Sequence, residues 1–221
     1  ACAHWCGQVM IAEVPLDLAS AITAAGVQPA VMELMDATSL RAVDALLGTT
    51  MGAAGAAHLV VQTDGPAAAD EAAAALAILE SLGGRAELTT DLAEGEGLLE
   101  VRRAMHPAME RLGTTLIEDV SVPRSALPAM FAAIAEVEER FGVTIPTVAH
   151  AGDGNLHPNF VFEGETVPDH IWAAADALFA AALALGGTLT GEHGIGVLKR
   201  RWLADELGDD QVELQRGIKA V

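Results

Sequence analysis

Short apolar runs rich in β-branched residues alternate along this chain with longer segments whose apolar positions recur every three or four residues. That alternation limits the fold more than any other feature. The run Ala57 to Gln62 (AHLVVQ), followed by Asp64-Gly65, has the length and bounding turn of a buried strand, whereas 67–82 reads as a helix closed by Gly83-Gly84. The spacing predicts further helices over 17–25, 38–47, 95–112, 125–141, 168–185 and 195–221, the last broken near Gly208; Asp36 and Thr38 are candidate caps. Extended segments fall at 27–35, 85–90, 114–122, 143–148 and 160–162, with Pro29 near a strand start where a missing donor is tolerated. Strands with helices returning between them, set out twice, predict an α+β fold: an antiparallel sheet covered by helices, in the manner of a duplicated ferredoxin-like unit. No low-complexity linker divides the chain, so 17–221 is expected to be one domain, preceded by an atypical segment over 1–16.

Composition narrows the partners. Hydrophobic residues make up 52% of the 221, ample for a core and against disorder. Lys and Arg number 12 against 31 Asp and Glu, a net charge of −19, so the averaged field repels phosphate backbones and anionic lipid headgroups. Nucleic acid is therefore excluded as a partner, and a site for a small anion must gather its few cations locally. No run reaches the ~18 apolar residues of a membrane-spanning helix, so direct membrane insertion is not expected. The N-terminus carries no basic region followed by an apolar core, as a secretory signal would. Cys2 and Cys6 flank His4, but no second ligand pair with zinc-site spacing follows; the absence of other cysteines fits a reducing cytoplasm.

Two polar motifs stand out within apolar sequence. The first is His150-Ala-Gly-Asp-Gly-Asn-Leu-His157. A two-residue turn at Asp153-Gly154 would set His150 opposite His157, with Cβ atoms ~5 Å apart on one face and able to clasp one metal ion. The second is Gly186-Gly-Thr-Leu-Thr-Gly-Glu192-His193-Gly194-Ile-Gly196, whose glycines let the backbone bend so that Glu192 and His193 reach one pocket. Two imidazoles and a carboxylate form a common set for a catalytic divalent cation, leaving His193 as a free base beside it. Taken singly, Gly-Asp-Gly-Asn is only a tight turn and Glu-His a surface pair; a metal-dependent hydrolase is a further reading of the same residues. His4, His58 and His170 lack polar company and read as structural or solvated. Arg102, with Glu100, Arg103, Glu110 and Arg111, reads equally as part of a solvated helix face. The basic cluster Lys199-Arg200-Arg201 could face a phosphate or cap a helix, and is left unassigned.

The runs VAHAGDGNLHPNF and GGTLTGEHGIGVLKR resemble the two signatures of the FAD-linked oxidase C-terminal domain of the vanillyl-alcohol-oxidase superfamily, found in glycolate oxidase and in D-lactate and D-2-hydroxyglutarate dehydrogenases. QPAVMELMD and DVSVPRSALP resemble the same domain in the same order, so the likeness runs from about residue 20 to the end. The resemblance implies a helix-covered antiparallel sheet that caps a flavin, with His150, His157 and Glu192 as ligands of a divalent metal (zinc, manganese or iron). It implies that His193 removes the substrate hydroxyl proton while touching the substrate, that Asn159 contacts the substrate, and that Arg102 and His106 meet its carboxylate. Where the 2-hydroxyglutarate enzymes place a Lys this chain has Ile117, which argues for a monocarboxylate such as glycolate or lactate, unless Arg103 or Arg124 substitutes. The implied reaction is oxidation of a small 2-hydroxy acid to the 2-oxo acid, with FAD bound mainly by a domain outside this sequence. The chain is thus expected to be a fragment or separate subunit, inactive without its flavin-binding domain, with an iron-sulfur or other electron-acceptor subunit as a further partner. The alternative is a non-catalytic metal-binding subunit or module.

Overall fold

The structure is a computed structural model and describes residues 8–14, 18–54 and 57–221, the first of these segments as backbone alone. Cys2, His4 and Cys6 lie outside the described residues. Eight strands form one antiparallel sheet: β1 (Gln8–Val14), β2 (Val31–Met35), β3 (Ala57–Thr63), β4 (Arg85–Thr89), β5 (Thr114–Ile117), β6 (Val120–Ser121), β7 (Thr147–His150) and β8 (Asn155–Phe162). Their order is β4-β1-β3-β2-β7-β8-β5, with β6 also on β8. The first half thus runs fourth, first, third, second. The second half repeats that order: β8 lies between β7 and the β5/β6 pair, and Thr188 closes the far side through an isolated bridge to Ser121. β2 and β7 join the halves, with Glu33 facing His150 across the seam.

Nine α-helices accompany the described strands, the last three of them following β8: α1 (Leu18–Ala24), α2 (Ala37–Leu47), α3 (Ala68–Ser81), α4 (Leu92–Arg103), α5 (Met105–Leu112), α6 (Leu127–Phe141), α7 (Asp169–Ala184), α8 (Leu203–Leu207) and α9 (Asp209–Lys219). Alternation along β2 shows how the sheet is divided: Met32 and Leu34 enter the main core, whereas Met35 points the other way into a smaller one. The main core lies under α1, α3, α6 and α7, and includes Leu59, Leu79, Ile134, Phe160 and Leu178. The smaller cluster joins Met35 and Val148 to Leu40, Val43, Met105 and Met109 of α2 and α5. Phe160 is wholly buried, so Phe160→Ala should cost about 3–5 kcal/mol, read as a lower urea midpoint at unchanged slope.

The structure corrects several boundaries. The helix expected over 95–112 is two, because Pro107 has no N–H to give the Arg103 carbonyl and its ring crowds that group, so the chain turns at Ala104. This break sets Arg102 at the end of α4 and His106 at the start of α5. The extended segment 114–122 divides at Glu118-Asp119, and the strand expected over 143–148 instead occupies Thr147–His150. The strand expected from residue 27 begins at Val31. The segment 1–16 contains β1, whose near-continuous apolar run QVMIAEV lacks a two-residue alternation and so gives a weak strand signal. Asp36, rather than Thr38, caps α2 by accepting from the Ser39 N–H at 2.7 Å.

Candidate metal and substrate site

The β7–β8 hairpin supplies both imidazoles, in a register that differs from the expected one. His150 pairs with Asn155 and His157 with Val148, because the turn spans Ala151 to Gly154 and both Asp153 and Gly154 donate N–H bonds to the His150 carbonyl. Gly154 has φ 86°, and a Cβ there would lie 2.2 Å from the Val122 carbonyl, so this turn admits only glycine. The shift is by two residues and leaves side-chain parity intact, so both rings still share a face. As diagonal neighbours their centroids are 5.1 Å apart at an interplanar angle of 82°.

The loop after α7 supplies Glu192 and His193, and the buried carboxylate of Asp119 shapes it. Asp119 accepts from the Thr190 hydroxyl and from the backbone N–H groups of Gly191 (3.0 Å), Glu192 (3.2 Å) and His193 (2.8 Å). Lys199, itself buried, donates to the carbonyls of Asp119 (2.5 Å) and Leu189 (2.9 Å), and its ammonium lies 3.5 Å from the Asp119 carboxylate and 3.8 Å from Glu118. Burial alone would raise the Asp119 carboxyl; the Thr190 hydroxyl, the loop N–H groups and Lys199 outweigh it and hold it well below its ordinary value. Burial raises Glu118 to about 7 in spite of Lys199. Lys199 is therefore a structural pin. Its neighbour Arg201 pairs with Asp176 at 2.9 Å and lies over the Trp202 ring.

The hairpin and the loop bring His150, His157 and Glu192 together, with one ligand atom of each within 4.8 Å of the others. Glu192 places one oxygen 3.6 Å from His150 Nε2 and the other 3.7 Å from His157 Nε2. Those separations exceed a hydrogen bond and suit donors bridged by a cation with bonds of about 2.0–2.2 Å. The donor set, two imidazoles and a carboxylate with no cationic side chain between them, fits a divalent metal. Burial lowers His157, and His150 and His193 add to the effect, which favours the neutral ring a ligand needs, whereas the hydrogen bond to Glu33 raises His150. The His193 ring stacks on His157, with centroids 5.0 Å apart and planes at 19°.

A cavity of about 250 Å³ extends from this cluster to the α4–α5 corner, lined by His150, His157, Asn159, His193 and Arg102. His106 lies at its rim, 72% exposed and 3.7 Å from Glu110. Asn159 donates its amide to the carbonyls of Pro146 (3.0 Å) and His157 (2.8 Å), so its own carbonyl oxygen is the group left for a ligand. Arg102 is no part of a solvated face: its Nε donates to Glu33 at 2.9 Å. The remaining wall is apolar, with Met105, Met109, Val148 and the exposed Ile117. Arg103 instead pairs with Glu96 at 2.6 Å and Arg124 donates to the Gly152 carbonyl, and neither lines the cavity. His58 lines a separate cavity against α4, where burial lowers it to about 4, and His170 is exposed.

Glu33, Asp119 and Lys199 had no assigned role in the sequence. Their signals were present: a lone carboxylate inside the apolar strand VMELM, an acidic pair interrupting an extended run, and a Lys directly after the Gly-rich loop.

The chain belongs to the family described as FAD linked oxidases, C-terminal domain, whose profile matches residues 12–221, a span beginning before the expected residue 20. It is similar to glycolate oxidase subunit GlcD of Bacillus subtilis, 31% identical over 207 residues that cover 91% of this chain and 44% of that protein. It is also similar to D-lactate dehydrogenase of Archaeoglobus fulgidus, 33% identical over 167 residues covering 75% and 36%. The chain thus spans less than half the length of these relatives. Among solved structures, p-cresol methylhydroxylase with substrate bound shares the fold at a TM-score of 0.68 and 12% identity, over 96% of this chain and 50% of that one. Alkyldihydroxyacetonephosphate synthase does so at 0.58 and 12%, over 96% and 42%.

Proposed function

We propose that this domain is the substrate side of a flavin-dependent 2-hydroxyacid dehydrogenase of glycolate or D-lactate type, holding the acid between a divalent cation and Arg102. The observation that carries the reading is the convergence of His150, His157 and Glu192, with both histidines lining one cavity together with Arg102. The repeated strand order further supports a duplicated ferredoxin-like cap.

Arg102 gives Nε to Glu33 and, among the described residues, retains its terminal nitrogens for a substrate carboxylate, which a guanidinium grips in a two-point fork. Bound by His150, His157 and Glu192, a zinc, manganese or iron ion would lower the pKa of the 2-hydroxyl. His193, beside that cluster and free of ring hydrogen bonds among the described residues, accepts the hydroxyl proton. The Asn159 carbonyl oxygen orients the acid. A flavin held by a separate domain would supply the acceptor for the hydride that leaves the 2-carbon. Ile117 and the two methionines provide no partner for a second carboxylate, which favours a small monocarboxylate.

Two measurements test this. Calorimetric titration of the chain with zinc or manganese should give one site, lost in His150→Ala. With its flavin domain restored, the enzyme should reduce a dye on addition of D-lactate or glycolate. A chain that binds neither metal refutes the site; one that binds metal but never supports dye reduction is instead the non-catalytic metal-binding module.

A further inference from the structure

We infer that Glu33 is a positioning residue that couples the cation site to the carboxylate anchor: one of its oxygens holds His150 and the other holds Arg102. The inference rests on the roles proposed above for those two side chains. Glu33 Oε1 lies 2.5 Å from His150 Nδ1, and Oε2 accepts from Arg102 Nε at 2.9 Å. The β2–β7 ladder sets Glu33 directly opposite His150, whereas Arg102 arrives from the last turn of α4. Both oxygens of one carboxylate are therefore engaged by groups from different parts of the fold.

The chemistry follows from donor and acceptor roles. A carboxylate can only accept, so it fixes the proton of a neutral His150 on Nδ1 and leaves the Nε2 lone pair facing Glu192. A histidine ligand requires that tautomer, and a carboxylate behind the ring also makes it a stronger donor. His157 provides an internal contrast: its Nδ1 is buried with no hydrogen-bond partner among the described residues. Of the two imidazoles, only His150 has its tautomer set by a hydrogen bond among the described residues. The second oxygen does comparable work on Arg102, since engaging Nε fixes the plane of the guanidinium. Cation and carboxylate anchor are thereby held in mutual register through one side chain that is only 13% exposed.

An ion pair that merely fastened α4 to the sheet would have the same distances, so the test reads what such a pair would not move. Zinc affinity of the 221-residue chain is measured by competition against a chelator for the parent, Glu33→Leu and Glu33→Gln, with ring ¹⁵N shifts of His150 recorded before zinc is added. The parent should show His150 protonated at Nδ1. Glu33→Leu should bind zinc roughly 10- to 100-fold more weakly and show a mixture of tautomers. Gln offers one acceptor to two donors, so Glu33→Gln should fall between, and it carries the test if the Leu variant does not fold. Folded variants that keep the parent's affinity and tautomer, losing only melting temperature, overturn the inference and leave the metal site intact. A parent chain that binds no zinc removes both.

Discussion

His193→Ala, made in an enzyme complete with its flavin domain, should lower turnover by roughly 10²- to 10⁴-fold, the usual range for removing a positioned base. The His193 ring stacks on His157 but makes no hydrogen bond among the described residues, and its backbone N–H remains on Asp119 in the variant. Stability should therefore shift by no more than about 0.5 kcal/mol, and zinc affinity should hold. Stopped-flow flavin reduction, set beside zinc titration of the same preparation, separates the two effects. Unchanged flavin reduction would strip His193 of its assigned part.

Asp119→Ala should have the largest effect on the fold of the site, although Asp119 is not a ligand. The substitution removes the acceptor of three consecutive loop N–H groups and leaves the buried Lys199 with Glu118 as its remaining carboxylate. Breaking a buried charge pair from one side costs about 3–5 kcal/mol, and zinc binding should be lost because Glu192 is no longer aimed at the histidines. Acid should act in the same direction. The Asp119 carboxyl lies below its unfolded value of 3.8, so its contribution is complete above that pH and is lost as pH falls further toward the folded value. Urea unfolding of parent and variant at neutral pH and near pH 3 measures both effects. Equal stability of the two proteins at neutral pH would show that the loop is held by something else.

The helices and the strand sequence were largely legible because their periodicity is local: 67–82 and 168–185 each fall within one or two residues of α3 and α7. What the sequence missed was non-local. Pairing His150 with His157 assumed a two-residue turn, but Gly154 approaches the Val122 carbonyl, and a contact with a distant strand end set the register instead. The site residues were named from motif spacing and resemblance, and the fold gathers them around one cavity. Glu33 escaped notice because a single acidic residue in a strand acquires meaning only once the neighbouring strand is known. Asp119 escaped because its partners lie more than seventy residues ahead.

The seam between the halves works as a gauge. Within the described sheet, β2 against β7 is the one strand pairing that joins the two halves, and it carries Glu33 beside His150. Sliding one half two residues along the other would keep every side chain on its proper face and yet shift that pair apart by about 7 Å along the strands. Hydrophobic patterning alone tolerates such an error. The carboxylate shared by an imidazole and a guanidinium does not, so the alignment of the two packed halves is checked at the place where an ångström matters most.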